Sequence, residues 1–97
     1  MWITTVTYDL VAIRQLSTAD SISLMKSIED KKNELKAIDG AGGSTADYPA
    51  PTDYDSIPFD QAALIIKRVW NQQTNAQAFV DHIAGISHVT ATLQEQV

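Results

Sequence analysis

The chain has 97 residues, of which 44% are hydrophobic and 20% charged, the composition of one globular domain too short to hold two cores. It lacks cysteine and carries a net charge of −5 from twelve acids and seven bases, which excludes disulfides, thiolate metal centres and thiol nucleophiles and argues against a nucleic-acid binder. No apolar run approaches the ~18 residues of a membrane span, and the first residues lack a basic-then-apolar signal pattern. The expectation is an intracellular product without membrane or nucleic-acid partners, which could still be carried in a viral particle.

Residues 2–10 are rich in β-branched and aromatic types. Trp2, Thr4, Val6, Tyr8 and Leu10 alternate with Ile3, Thr5, Thr7 and Asp9, which predicts a strand with one buried face. Residues 11–16 either prolong it or bend away. Ser17 or Thr18 then caps a helix over about 19–38, with Asp20 three residues after Ser17 in a capping-box-like spacing. Ile22, Met25, Ile28, Leu35 and Ile38 recur at helical spacing, Lys36 suits the C-terminal dipole, and Gly40 is a natural residue just past the end.

The segment Asp39–Asp60 differs from everything else. It holds all three prolines, three of the four glycines, five aspartates and no Lys or Arg. Its charge of −5 is therefore the charge of the whole protein, since the remaining seven acids and seven bases cancel. Connections of this length inside a compact domain are usually functional or disordered. Tyr48, Tyr54, Ile57 and Phe59 give it groups able to dock, so a docked arm and a mobile loop both stay open.

Residues 62–70 read as a second strand, with Leu64, Ile66 and Trp70 on one side, Ile65 and Val69 on the other, and Lys67 and Arg68 between. Apolar residues on both sides suggest a central strand, or a face that meets another subunit. Asn71 is placed to cap a second helix over about 72–84, whose stripe is Ala76, Phe79, Val80 and Ile83 and which Gly85 ends. Val89, Ala91 and Leu93 alternate with His88, Thr90, Thr92 and Gln94, giving a last strand with one wet face.

These elements make a single α+β domain over residues 1–97, a two-layer sandwich with two helices on one face of a small, mostly antiparallel sheet and a long acidic central loop. A ferredoxin-like plan fits if a short additional strand lies before Ala62. The other sheet face is then partly open. Either a second copy covers it through Ile65 and Val69, or Ile3, or the loop's Tyr48, Tyr54 and Phe59 fold over it.

Motifs for chemistry fail one after another. His82 and His88 lie six apart with only Asp81 adjacent, too few ligands for a transition metal. Asp53, Asp55 and Asp60 suggest calcium, but counting from Asp53 the sixth position is Pro58 and the twelfth Leu64, where an EF-hand loop needs Gly and Glu. The glycines at 40, 42 and 43 follow a helix and precede no Lys, unlike a phosphate loop. No Gly-x-Ser-x-Gly elbow exists, and nothing in the spacing sets a serine beside either histidine. Lys31, Lys32 and Lys36 interleave with Glu29, Asp30 and Glu34 as a solvated helix face. No catalytic residue, metal ligand or cofactor is assigned.

Ile65-Ile66-Lys67-Arg68-Val69-Trp70-Asn71, followed by a helix with Ala76, Phe79 and His82, resembles the third strand and second helix of antibiotic-biosynthesis-monooxygenase-type proteins. Those are dimeric α+β barrels, some of them cofactor-independent oxygenases. The resemblance implies a dimeric α+β architecture and, in an enzyme or small-ligand binder, a pocket near Tyr8, Trp70 and His82.

The leading expectation is a small non-enzymatic interaction or assembly protein, of which a phage or virus accessory or structural component is one example. It makes protein or homo-oligomeric contacts through Tyr48, Asp53, Tyr54, Asp55 and Phe59 of the arm and Ile65 and Val69 of the sheet. The alternatives are the barrel-type binder or enzyme and an acidic inhibitor of a basic partner.

Overall fold

The computed structural model describes residues 1–40 and 62–95. Tyr48, Asp53, Tyr54, Asp55 and Phe59, and any additional strand before Ala62, lie outside the described residues. Trp2–Asp9 form β1, Leu10–Ile13 a single turn α1, Thr18–Ile38 the long helix α2, Ala63–Trp70 β2, Gln73–Ala84 α3 and Val89–Glu95 β3. The sheet order is β2-β1-β3, with both outer strands antiparallel to β1. β2 and β3 therefore run parallel to each other on either side of β1, linked by α3. A ferredoxin-like plan sets its first, third and fourth strands in this order, and the α+β architecture stands as expected.

Among the described residues β1 is the middle strand; any strand on the far side of β2 would lie outside them. On the outer side of β2 Lys67 and Ile65 are exposed, Ile65 at 58%, and Val69 is buried. After Asp9 the chain bends away from the sheet, one of the two courses the sequence left open. Asp9 accepts a hydrogen bond from the Ala12 amide at 3.2 Å, an N-cap that turns the chain into α1 and buries Leu10 and Ile13 completely.

Helix α2 starts as its cap predicts, Ser17 Oγ accepting from the Asp20 amide at 3.1 Å. Its buried seam runs through Ser21, Met25, Ile28, Lys32, Leu35 and Asp39, with Met25 and Lys32 only partly covered. Ile22 and Ile38 fall off this seam and are 58% and 65% exposed. The stripe was misjudged by one residue at each end because Ser21, which bonds back to the Thr18 carbonyl, and Asp39 are polar residues in buried positions.

The core lies between the sheet and the helices. Val6 and Tyr8, Leu64, Ile66 and Trp70, and Val89 meet Ile28 and Leu35 of α2 and Ala76, Phe79 and Ile83 of α3. Trp70 is fully buried and donates its indole Nε1–H to Thr4 Oγ1 at 2.8 Å, which satisfies the one polar atom of a large apolar ring. Its ring lies 5.4 Å from that of Phe79, and Lys36 Nζ sits 4.7 Å above it while donating to the Val69 carbonyl.

Helix α3 has no local cap: its N-cap residue is Gln72, whose side chain makes no capping bond. The cap comes from the end of α2. Asp39, with no exposed surface, accepts from the Asn71 amide at 2.7 Å, the Gln72 amide at 3.0 Å and the Asn75 side-chain amide at 3.0 Å. Asn71, expected to be the cap, instead donates to it. A carboxylate at a helix C-terminus opposes the dipole of its own helix, and here the N-terminus of α3 more than offsets that. Gly40 follows at φ +66, the left-handed residue that ends α2.

Replacing Asp39 with Ala leaves one buried and two partly buried donors without their acceptor, so Asp39→Ala should cost about 3 kcal/mol and lower Tm by roughly 15 °C. Asp39→Asn, which keeps one acceptor oxygen, should cost less. Urea denaturation of both variants checks this; a loss below about 0.5 kcal/mol for the alanine variant, the size of an ordinary surface substitution, would refute the capping role.

Candidate interaction surface

Strand alternation sends Ile3, Thr5, Thr7 and Asp9 of β1 away from the helices. Register aligns them into rows. Val69, Ile3 and Gln94 form one; Lys67, Thr5 and Thr92 the next; Ile65, Thr7 and Thr90 the third; and Ala63 and Asp9 the last. None of these residues belongs to the helix-packed core of the described residues. The face is a hydroxyl-rich surface with one strongly exposed isoleucine and one charge of each sign, Lys67 and Asp9. Ile65 lies on the exposed part of it, whereas Val69, the other β2 residue expected there, is 7% exposed.

Where β1 ends and β2 and β3 begin, an open recess of about 310 Å³ is lined by Thr7, Asp9, Ala63, His88 and Thr90, among others. Its floor is pinned by the hydrogen bond from the Asp9 amide to the His88 carbonyl at 2.9 Å. His88 holds φ +69, the one non-glycine residue with positive φ among those described.

Of the three residues expected to line a pocket, Tyr8 also borders this recess, while Trp70 and His82 lie elsewhere in the fold. Trp70 is sealed by Thr4, Phe79 and Lys36, and Tyr8 is 2% exposed, its ring in the core. His82 lies on the seam between α2 and α3, where its Nε2 is 3.1 Å from Ser27 Oγ. The spacing could not show this pair: the two are 55 positions apart, a separation that no local motif reveals. Both belong to helix interiors, where backbone N–H groups are already bonded and none remains to stabilise an oxyanion. The contact ties α2 to α3.

Arg68 is the residue the sequence reading undervalued. Alternation puts it on the same side as Leu64, Ile66 and Trp70, and its side chain is only 5% exposed. Its guanidinium carbon lies 5.3 Å from the Phe79 ring centroid and Nη2 is 3.5 Å from Glu29, which itself pairs with Lys32 at 2.8 Å. Nη1 has no hydrogen-bond partner. The parity of β2 was the available signal, masked by the habit of placing charges outside.

Burial drives the Tyr8 hydroxyl above its ordinary pKa of 10.0; the neighbouring Arg68 pulls it partly back through its charge and its contact with the hydroxyl, and Glu29 adds a small push upward. Among the described residues no group of three His, Asp or Glu is placed to hold a metal ion, and no helix is long and apolar enough to cross a membrane. Compared with known proteins, the chain matches no family model and no curated relative.

The raised Tyr8 pKa sets a sign for alkaline stability. The folded state holds the phenolic proton more tightly than the unfolded state, so this contribution is fully present below pH 10 and is lost as pH rises from there through the folded pKa. Tyr8→Phe should flatten the loss of urea stability between about pH 9 and pH 11. Equal slopes in the two proteins would rule out Tyr8 as the source.

Proposed function

We propose that the protein is a small non-enzymatic interaction or assembly module that makes protein contacts through the outer face of its sheet. The acidic segment 39–60, with Tyr48, Asp53, Tyr54, Asp55 and Phe59, serves as a second contact element. The observation that carries this reading is the asymmetry of the sheet. Helices close its inner face over a filled core, while its outer face presents Ile65, 58% exposed, among rows of threonine. An isolated exposed isoleucine is ordinary; this one stands on a strand face between Ala63 and Lys67 and in register with Thr7 and Thr90, a row that a partner could cover without burying a charge. The acidic segment supports the reading on composition: it concentrates the protein's whole net charge of −5 with two of its three tyrosines.

Such a module works as a homo-oligomer or as a subunit of a larger particle, a viral one included. The barrel-type binder would need a cavity reaching Trp70, whose ring has no exposed surface. An acidic inhibitor would use the same segment and is separated by salt, since its affinity for a basic partner would fall steeply once exposed charges are screened beyond about 8–10 Å.

The native mass by light scattering tests the proposal. The expected result is a whole multiple of 10.6 kDa, shifted toward the monomer by Ile65→Lys, a surface substitution that should leave folding stability within about 0.5 kcal/mol. A 10.6 kDa species persisting up to about 1 mM would overturn the outer face as a self-contact.

A further inference from the structure

We propose that the recess at the end of the sheet receives the side chain of Lys67 from a second copy of this chain, so that two copies pack outer face to outer face about a twofold axis. This rests on the assembly reading above and adds its geometry. The register supplies the argument. Asp9 pairs with Ala63, Thr7 with Ile65 and Thr5 with Lys67, so the row of Ile65 lies midway between the row of Asp9 and the row of Lys67. When two identical faces meet about an axis lying between them, each row is carried to the mirror position across that axis. An axis along the Ile65 row brings Ile65 against Ile65 of the other copy and sets Lys67 of each copy over Ala63 of the other, one strand spacing from Asp9 in the same row. The interface is then isologous, with two equivalent ion pairs flanking an apolar centre.

Charge and chemistry agree with this occupant. The chain carries −5, which opposes self-association in general, yet the outer face holds one base and one acid and is neutral. Two copies meeting there do not set like charges together. The recess, about 310 Å³ and open, has room for one long side chain. An ammonium group has three donors and no acceptor, and the residues lining the recess include Asp9, Thr7 and Thr90, which carry a carboxylate and two hydroxyls able to accept. Asp9 commits Oδ1 to the Ala12 amide, which leaves Oδ2 for the incoming cation. Lys67 itself is exposed.

A double-mutant cycle on the dimer dissociation constant tests the pairing, with Asp9→Asn, Lys67→Gln and the two combined. Asparagine caps a helix as well as aspartate, so Asp9→Asn removes the charge and keeps α1; urea denaturation confirms that each variant folds. Each single substitution should weaken association by about 25-fold, fivefold for each of two symmetry-related contacts, and the combined variant should be no weaker than either single one. Singles that leave the constant unchanged, or a combined loss equal to the product of the two, would overturn the pairing. If the wild type associates and Ile65→Lys disrupts it while this cycle shows no coupling, the pairing fails and the assembly reading stands. A wild type that stays monomeric removes both.

Discussion

A carboxylate shut off from water joins the two halves of this molecule. Asp39 closes α2 and, by accepting from Asn71, Gln72 and Asn75, starts α3, which has no cap of its own. Without it, α3 would begin with unpaired, partly buried donors, and a donor left unsatisfied on burial costs about 1–3 kcal/mol. The same few residues carry the Lys36 contact to Trp70 and the Val69 carbonyl, so the end of α2 is clamped to the end of β2 and to the start of α3 at once. The clamp also fixes Gly40 at one end of β2, whereas Ala62, bonded to the Leu10 amide, is fixed at the other. The acidic segment thus leaves and rejoins the domain at opposite ends of a strand about 25 Å long.

The second constraint is the unequal treatment of the two sheet faces. The inner face is filled to the point of burying a guanidinium. Arg68 sits on Phe79 with a half-exposed, shared carboxylate as its acidic neighbour among the described residues, an arrangement that adds little stability compared with an apolar side chain of similar size. The outer face keeps its threonines and Lys67 in or near water. Because side chains alternate with a period of two, a single choice of register decides both faces together: putting Val6, Tyr8, Ile66 and Trp70 inside obliges Arg68 to go with them and leaves Ile65 outside.

Much of the fold was legible. Ser17 and Gly40 bound α2 because caps act within one turn, and the alternation in 2–9 and 89–94 reads directly as strands with one covered face. Gly85 marks the end of α3 for the same local reason. The candidate surface was legible in part: Ile65 could be named from parity, while the recess between Asp9 and His88 could not, since it forms only where the ends of three strands come together. Ser27 and His82 show the limit most plainly. Each is unremarkable in its own helix, and their contact depends on how α2 lies along α3.

The sequence by itself determined the types and order of the three strands and two long helices, the absence of cysteine chemistry and the concentration of acidity in one segment, because propensity, capping and charge are properties of neighbouring residues. Tertiary structure alone decided that β1 takes the middle of the three described strands, that Asp39 rather than Asn71 caps α3, and that Arg68 is buried. Those outcomes depend on which donors, acceptors and apolar faces meet across thirty or more residues. A polar side chain goes to a buried place when distant partners satisfy it there, and nothing in its immediate neighbours announces them.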